Sequence, residues 1–245
     1  MIPKKIHYCW LSGEPIPEKI QMCLDSWRRI LPNYEIILWD TNKFDVSKHK
    51  FVLQACENRK WAFAADYIRV FALYTEGGIY LDSDVFVLKN FDNFLDNEFF
   101  TSIECHIEKL DSPETQVGFQ AAVMGSKPGH SFLKKCLEYY NNADFISGNG
   151  SFNQTISPII YANIAAKNFG FKFVNKPQKL KEGMLILSRE IFAGSVKQKS
   201  LRSYAVHLCN GSWRDRNKTF LFSKTLYNKI KYLKIKYLKL GHGFI

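Results

Sequence analysis

The sequence has no apolar run long enough to cross a bilayer, since no window approaches the ~18 consecutive apolar residues that a membrane-spanning helix needs. It also lacks the apolar core of a signal peptide, because Ser12, Gly13 and Pro15 interrupt the N-terminal segment. The six cysteines are scattered singly and form no Cys-x-x-Cys pair, which argues against a zinc site and against disulfides. These absences predict a cytoplasmic protein with buried thiols.

No linker rich in Pro, Gly or Ser divides the 245 residues, and their 46% hydrophobic content is enough for one well-packed domain. Acidic residues are missing after Asp215, where eight Lys and Arg side chains follow. Of the net charge of +11, the preceding chain therefore carries only 11 − 8 = +3. We predict a domain over residues 1–217 and a basic tail over residues 218–245.

Apolar residues of the tail step by 4, 3 and 4 positions between lysines, at Leu226, Ile230, Leu233 and Tyr237. This pattern is typical of a basic amphipathic helix on an anionic membrane surface, and packing of the stripe on the domain is the alternative. Nucleic acid is not a predicted partner, because the lysines are concentrated in the tail and the domain has no basic-aromatic motif. We expect a protein that is peripheral on the inner face of the cell membrane.

Strand and helix patterns alternate along the chain, as in α/β proteins. The predicted strands cover residues 4–11, 34–40, 79–88, 171–175, 184–188 and 204–213. The predicted helices cover residues 16–32, 51–76, 130–140 and 153–170, the last broken by Pro158. Gly77 and Gly78 end the second helix, and segments 106–120 and 143–153 are predicted loops over a site. A mostly parallel sheet flanked by helices follows, with ligands at the carboxyl ends of its strands.

The stretch "GGIYLDSDVFVL" ends an apolar strand with Asp82 and Asp84, which project to one side if the strand continues. Two adjacent carboxylates repel each other unless a cation or a proton intervenes, and Mg²⁺ or Mn²⁺ is the usual cation at such oxygens. A solvated turn is the alternative. Upstream, Asp66 and Arg69 stand three residues apart on one helix face and are placed to reach the same cleft.

Three blocks of the sequence resemble one family, in the same order. "AADYIRVFALYTEGGIYLDSDV" is similar to the central Asp-x-Asp block of the family-32 glycosyltransferases, which include bacterial capsular-polysaccharide transferases and are related to the glucosylating toxins. "IPKKIHYCWLSGEPIPE" resembles the first strand and loop of that family, and "HLCNGSW" resembles its late His-x-x-x-Gly-Ser-Trp element. The three blocks span roughly the first 213 residues.

The resemblance implies a GT-A fold, of the Rossmann-like nucleotide-sugar transferase type, and a retaining transfer of a hexosyl unit that depends on Mn²⁺ or Mg²⁺. Carried over by motif, Asp84 would bind the metal, and Asp82 would contact ribose or sugar and complete the metal shell. Asp66 and Arg69 would bind hydroxyls of the donor sugar, so these four residues form the predicted catalytic set. The catalytic base or nucleophile stays unassigned. The remaining implied donor and metal contacts are Trp10 on the nucleobase and His207, Ser212 and Trp213 at the metal or diphosphate.

The residues alone leave Trp10 and His207 open to a second interpretation, as parts of the hydrophobic core. Polar candidates for acceptor binding are Glu104, Gln120 and Asn153. The expected donor is a UDP-sugar in preference to a GDP-sugar, and the expected acceptor is a glycan, such as a lipid-linked capsular or exopolysaccharide intermediate.

Two other activities are weighed against this one. A haloacid-dehalogenase-type phosphatase would use Asp82 as nucleophile. That class usually carries its Asp-x-Asp motif near the start of the core and a second acidic motif, such as Gly-Asp-x-x-x-Asp or Asp-Asp, later in the chain. Here eighty-one residues precede Asp82, and neither acidic motif follows it. A toxin-like transferase that modifies protein stays open as the second alternative. The short chain, without delivery or receptor-binding modules, favours polysaccharide assembly over the toxin-like activity.

Overall fold

The computed structural model describes residues 1–105 and 117–208. The α-helices there are α1 Glu18–Ile30, α2 Lys50–Glu57, α3 Trp61–Glu76, α4 Ser131–Asn141 and α5 Ser157–Phe169. The strands are β1 Lys5–Cys9, β2 Glu35–Trp39, β3 Gly78–Leu81, β4 Val85–Val87, β5 Phe99–Cys105, β6 Val117–Phe119, β7 Val123–Ser126, β8 Gln178–Lys179, β9 Met184–Leu187, β10 Phe192–Ala193 and β11 Ala205–His207.

The main sheet has the strand order β2-β1-β3-β7-β5-β9-β8, and β6 pairs with β5. Strands β2, β1 and β3 are parallel, and β5 and β9 are parallel beyond the antiparallel strand β7. Five strands of this sheet therefore run in one direction. The predicted α/β fold with a mostly parallel sheet is confirmed, and the carboxyl ends of β1, β2 and β3 lie at one edge.

A smaller sheet of order β10-β11-β4 lies beside the main one. The core has two parts, one on each face of the main sheet. Residues of α2, α3, α4 and α5, such as Phe51, Ile68 and Tyr161, form one part. Residues of α1 and the small sheet, such as Trp27 and Phe192, form the other. Helices thus flank the sheet on both faces, as expected for alternating strands and helices.

Helix α1 follows the predicted stripe, since Ile20, Leu24 and Trp27 are all buried on one face. Glu18 in its first turn and two arginines in its last turn stabilise the helix, because their charges oppose the helix dipole at each end. The side chains of α1 also hold β4 in place. Trp27 Nε1 donates to Val85 O at 2.7 Å, and Ser26 Oγ accepts from Val87 N at 2.9 Å.

The two-glycine turn after α3 is required by geometry. Gly77 and Gly78 have φ values of 64° and 102°, in a region that other residues rarely adopt. A Cβ on Gly77 would lie 2.7 Å from Pro128 Cδ, and one on Gly78 would lie 2.8 Å from Lys5 O. The prediction that these residues end the helix is confirmed, and the turn places α3 directly against β3.

Several predicted boundaries are wrong. The helical pattern found between residues 51 and 76 is confirmed for residues 64–75, which all lie in α3, but the segment also contains the separate helix α2, because the chain turns at Arg59, which has a φ of 54°. The predicted strand 79–88 is divided into β3 and β4, and residues 171–175 form no strand. Pro158 lies in the first turn of α5 instead of breaking a helix, since its missing N–H is harmless there. Strands β5, β6, β7, β8 and β10 were not predicted.

The five described cysteines are free thiols; Cys9, Cys23 and Cys136 are buried as predicted, whereas Cys56 and Cys105 are only half-buried. Among residues 1–105 and 117–208, no helix has both the length and the apolar character to span a bilayer. The predicted domain boundary at residue 217, the basic tail and much of the 106–120 loop lie outside the described residues. These expectations stay predictions.

Candidate active site

Asp82 follows β3 and Asp84 precedes β4, at the carboxyl edge of the main sheet. The expectation that strand geometry continues through both residues is wrong, because residues 82–84 form a tight turn. Val85 N donates to Asp82 O at 2.9 Å within the turn, and Asp82 N donates to Ala122 O at 3.0 Å. The turn, not a strand, brings the two carboxylates to one place.

His207 joins the two carboxylates from the small sheet. Strand β11 is antiparallel to β4 and sets His207 opposite Val85. His207 Nε2 lies 3.1 Å from Asp84 Oδ1 and 3.9 Å from Asp82 Oδ2. The backbone is held as well, since Leu208 N donates to Asp84 O at 3.0 Å.

The Asp82–Asp84–His207 cluster offers three ligand atoms within 4.8 Å of one another. Carboxylate oxygen and imidazole nitrogen together suit Mn²⁺, and the oxygens suit Mg²⁺. The three side chains are 24%, 13% and 18% exposed, so they are accessible to a ligand and still largely shielded from water. The donor set therefore fits a divalent cation.

Asp66 and Arg69 lie on α3 next to this cluster and are almost completely buried. Arg69 Nη1 lies 3.0 Å from Asp66 Oδ1, and Arg69 Nη2 donates to Asp82 Oδ1 at 2.9 Å. The guanidinium also lies 4.9 Å from the centre of the Tyr80 ring. Arg69 therefore connects the two carboxylates, and the predicted convergence of Asp66 and Arg69 on the couplet is present in the structure.

Burial and charge act against each other in this pair. Burial raises the pKa of Asp66 to about 6, although Arg69 and a hydrogen bond from Ser157 lower it. Burial opposes the charge of Arg69, but the carboxylates of Asp82 and Asp66 outweigh that effect and raise the arginine pKa. Arg69 is therefore a permanent cation, whereas Asp66 changes its charge near pH 6.

Ser157 is the contact that the sequence analysis did not anticipate. Its hydroxyl bonds to both members of the pair, although 91 residues separate it from Asp66. A serine before a proline at a helix start ordinarily indicates a cap, so no local signal connects Ser157 with α3.

Trp10 lies in the loop after β1, at the same edge of the sheet as the cluster. Its Nε1 donates to Glu14 O at 2.7 Å, and part of its ring packs against the α1 side of the core. The indole is half-buried, so both a core role and nucleobase stacking are compatible with its position. Stacking on the base stays a prediction.

The structure places the three candidate acceptor residues on different parts of the chain, with Glu104 on β5, Gln120 directly after β6 and Asn153 before α5. Gln120 is buried, with its Nε2 donating to Phe192 O at 3.4 Å and its Oε1 accepting from Ala122 N at 3.2 Å. Asn153 accepts from Thr155 N at 3.2 Å, and Glu104 lies half-buried on β5. The acceptor role of these residues stays a prediction, and Ser212 and Trp213 lie outside the described residues.

The fold resembles that of a solved transferase. The glycosyltransferase GlyE of Streptococcus pneumoniae TIGR4 superposes with a TM-score of 0.50 over 95% of this chain and 60% of that one, at 12% sequence identity. At such low identity the likeness concerns the fold alone. The architecture is the GT-A fold, as the motifs predicted.

Residues 1–151 match the model of a family described as capsular polysaccharide synthesis proteins. The chain belongs to this family, and the resemblance to family-32 glycosyltransferases is confirmed.

Two curated relatives share this region. Inositol phosphoceramide mannosyltransferase 3 of Schizosaccharomyces pombe is 33% identical over 136 residues, which are 54% of this chain and 35% of that protein. A mimivirus protein, the uncharacterized glycosyltransferase L373 of Acanthamoeba polyphaga mimivirus, is 30% identical over 163 residues, or 64% of this chain and 61% of its own length. The match thus spans about a third to three fifths of these relatives.

Proposed function

We propose that the protein is a glycosyltransferase that moves a hexosyl unit from a nucleotide sugar to a glycan acceptor. The observation that carries this proposal is the convergence of Asp82, Asp84 and His207 within 4.8 Å, next to the buried Asp66–Arg69 pair. Family membership supports the same conclusion.

Asp82, Asp84 and His207 would hold Mn²⁺ or Mg²⁺ at the turn between β3 and β4. When bound, the ion supplies Lewis-acid stabilisation of the negative charge on the leaving diphosphate. The partial burial of the three side chains strengthens every electrostatic interaction there relative to water. Arg69 Nη2 donates to Asp82 Oδ1 at 2.9 Å, so the Asp82 side chain is already oriented before the metal or the donor binds.

Asp66 and Arg69 are proposed to bind hydroxyl groups of the donor sugar. An ionised carboxylate accepts hydrogen bonds from hydroxyls, and a guanidinium donates to their oxygens. Because both side chains are fixed by their mutual contact, they lose little freedom when the sugar binds. Trp10, Ser212 and Trp213 are proposed as further contacts to the base and diphosphate.

The donor is proposed to be a UDP-sugar, and the acceptor a lipid-linked glycan of a capsule, exopolysaccharide or surface polysaccharide. The name of the Schizosaccharomyces pombe relative specifies mannosyl transfer to inositol phosphoceramide, which supports a hexosyl donor and an acceptor that carries a lipid. Association of the basic tail with an anionic membrane, and a cytoplasmic location, belong to the same proposal.

The phosphatase alternative finds less support. The matching family is described as capsular polysaccharide synthesis, which supports transfer of a sugar over hydrolysis of a phosphate ester. No described contact favours the toxin-like alternative over glycan synthesis.

The proposal is tested by incubating the purified protein with a panel of UDP- and GDP-hexoses, with Mn²⁺ or with EDTA. We expect one donor to raise the melting temperature in the presence of Mn²⁺ and to release its nucleoside diphosphate slowly by hydrolysis. EDTA should remove both effects. If no sugar nucleotide stabilises the protein or is cleaved at any Mn²⁺ concentration, the proposed function is wrong.

A further inference from the structure

Ser157 is the first residue of α5, and it does not serve its own helix. The N-cap position belongs to Ile156, which makes no side-chain capping bond. Pro158 follows and fixes the first turn. The Ser157 hydroxyl points instead to α3, where it meets Asp66 and Arg69. A role in starting the helix therefore does not explain this serine.

The direction of the two hydrogen bonds follows from chemistry. A guanidinium only donates, so Ser157 Oγ accepts from Arg69 Nη1 at 3.2 Å. The hydroxyl proton is then free to be donated to Asp66 Oδ1 at 2.8 Å. Ser157, Asp66 and Arg69 are 4%, 8% and 4% exposed, so water competes little for these bonds.

Both contacts of the Asp66 carboxylate fall on one oxygen. Arg69 Nη1 lies 3.0 Å from Oδ1, and Ser157 Oγ donates to the same atom. Neither contact involves Oδ2. The ion pair with Arg69 and the hydrogen bond from Ser157 together fix the rotation of the carboxylate group, and they leave the second oxygen for another hydroxyl donor.

We propose that Ser157 is a positioning residue of the donor site, which orients the Asp66 carboxylate so that Oδ2 accepts a hydroxyl of the donor sugar. The inference rests on the proposed function, since it assigns to Asp66 a sugar contact. It adds a residue from a distant helix that acts through Asp66 and does not itself touch the sugar.

The inference makes a pH-dependent statement, because Ser157 bonds to the ionised form of Asp66 and lowers its pKa. The other titratable or charged groups near Asp66 are Arg69 on α3, Asp82 after β3, Cys9 on β1, Tyr140 on α4 and Tyr161 on α5. Burial raises the pKa of Asp66 to about 6. Loss of the Ser157 hydroxyl should raise that pKa further.

The chain offers a matched control. Tyr161, on the same helix, donates from its hydroxyl to the backbone oxygen of Asp66 at 2.9 Å. Tyr161→Phe removes a buried bond to the same residue but leaves the carboxylate contacts in place. Ser157→Ala removes the carboxylate bond. If Ser157 served only the packing of α5 on α3, both variants would lose stability and neither would move the acid limb of donor turnover.

The experiment measures urea unfolding of the full chain at pH 5 and pH 8, and the pH dependence of donor turnover. For Ser157→Ala we expect the loss in the folding equilibrium constant to be about tenfold larger at pH 8 than at pH 5, one pKa unit being a tenfold change. The acid limb of kcat/KM should move to higher pH. Tyr161→Phe should lose the same amount at both pH values and keep its acid limb.

Two outcomes would overturn the inference: equal losses at both pH values for Ser157→Ala, or the same shift in Tyr161→Phe. If Ser157→Ala does not fold, Ser157→Thr and Ser157→Val provide the same test, because they differ only by hydroxyl and methyl. If the protein cleaves no sugar nucleotide, the proposed function is contradicted. The unfolding measurement does not depend on turnover, so it still tests the Ser157–Asp66 hydrogen bond in that case.

Discussion

The two ends of strand β3 bury polar groups in opposite ways. At its amino end, His7 is fully buried between Trp39 and the turn at Gly77. At its carboxyl end, Arg69 connects Asp66 and Asp82, and Asp84 meets His207. Helix α3, the two-glycine turn and β3 are consecutive and contribute to both ends. The comparison therefore shows how polar groups buried for stability differ from polar groups buried at a binding site.

At the amino end, each polar atom of the histidine has a partner. Trp39 Nε1 only donates, so His7 Nδ1 accepts at 3.0 Å, and Nε2 therefore donates to Gly77 O at 2.7 Å. The ring is neutral, and burial lowers its pKa. A ligand would find no hydrogen-bonding capacity left there.

At the carboxyl end, some hydrogen-bonding groups have no partner within the described residues. Three carboxylates lie around one arginine and one histidine, and no donor is hydrogen-bonded to Asp66 Oδ2 in residues 1–105 and 117–208. Arg69 Nε is buried and has no hydrogen-bond partner in the same ranges. Buried groups of this kind are costly unless a ligand completes them. Incomplete pairing, more than burial, therefore distinguishes the carboxyl end of β3 from its amino end.

The comparison is tested most strongly by Asp84→Ala. We expect metal-dependent donor turnover to fall by at least about 100-fold, because a lost ligand should cost no less than a lost outer-shell partner. The fold should remain, since the change removes one of several crowded carboxylates. Turnover with a Mn²⁺ titration and a thermal melt measure both effects.

Asp40 provides the control for this variant. It follows β2 at the same edge, and its carboxylate accepts from Asn42 N and Lys43 N in a local turn. Asp40→Ala should change stability modestly and leave the Mn²⁺ dependence as it is. Full turnover in Asp84→Ala would remove Asp84 from the metal role.

Much of this site was predictable because its residues are close in sequence. Asp66, Arg69, the two-glycine turn and the Asp-x-Asp couplet lie within about twenty residues. The helix period sets Asp66 and Arg69 on one face, and the short connection keeps the couplet near them. The parallel sheet followed from the alternation of elements. His207 was predicted only through resemblance, since its pairing with β4 spans over a hundred residues.

The remainder depends on tertiary contacts without a local pattern. Ser157 reaches Asp66 only because α5 packs against α3. The turn at residues 82–84 replaces a continuous strand because β4 leaves the main sheet and pairs with β11, with α1 on its other side. Strands β5, β6 and β7 mix apolar and polar residues without clear alternation, so period alone did not reveal them.

A smaller effect is expected at the amino end, from protonation of His7. Its pKa is lowered in the folded state, so the unfolded chain binds the proton more readily. Stability is therefore fully present above the ordinary histidine pKa of 6.5 and is lost as pH falls below it. The slope contributed by His7 should reach at most about 1.4 kcal/mol per pH unit.

The His7 contribution is isolated by comparison with His7→Asn in urea unfolding from pH 7.5 to pH 5. His49 and His130 also have lowered pKa values through burial, but they contribute equally to both proteins. We expect a shallower slope in His7→Asn. If stability changed with pH equally in both proteins, His7 would not resist protonation, and its hydrogen bonds to Trp39 and Gly77 would not hold the ring neutral.

The smallest effect is expected for the ion pair beside this histidine. Lys5 Nζ lies 2.9 Å from Glu76 Oε2, and the two side chains are 33% and 25% exposed. Lys43 Nζ also approaches Glu76 Oε1 at 3.5 Å, so Glu76 keeps a cation when Lys5 is removed. Lys5→Ala should therefore cost less than about 1 kcal/mol in urea unfolding, and less still in ~1 M salt. A loss several times larger, unchanged by salt, would mean that charge pairing contributes to the amino end as it does around Arg69.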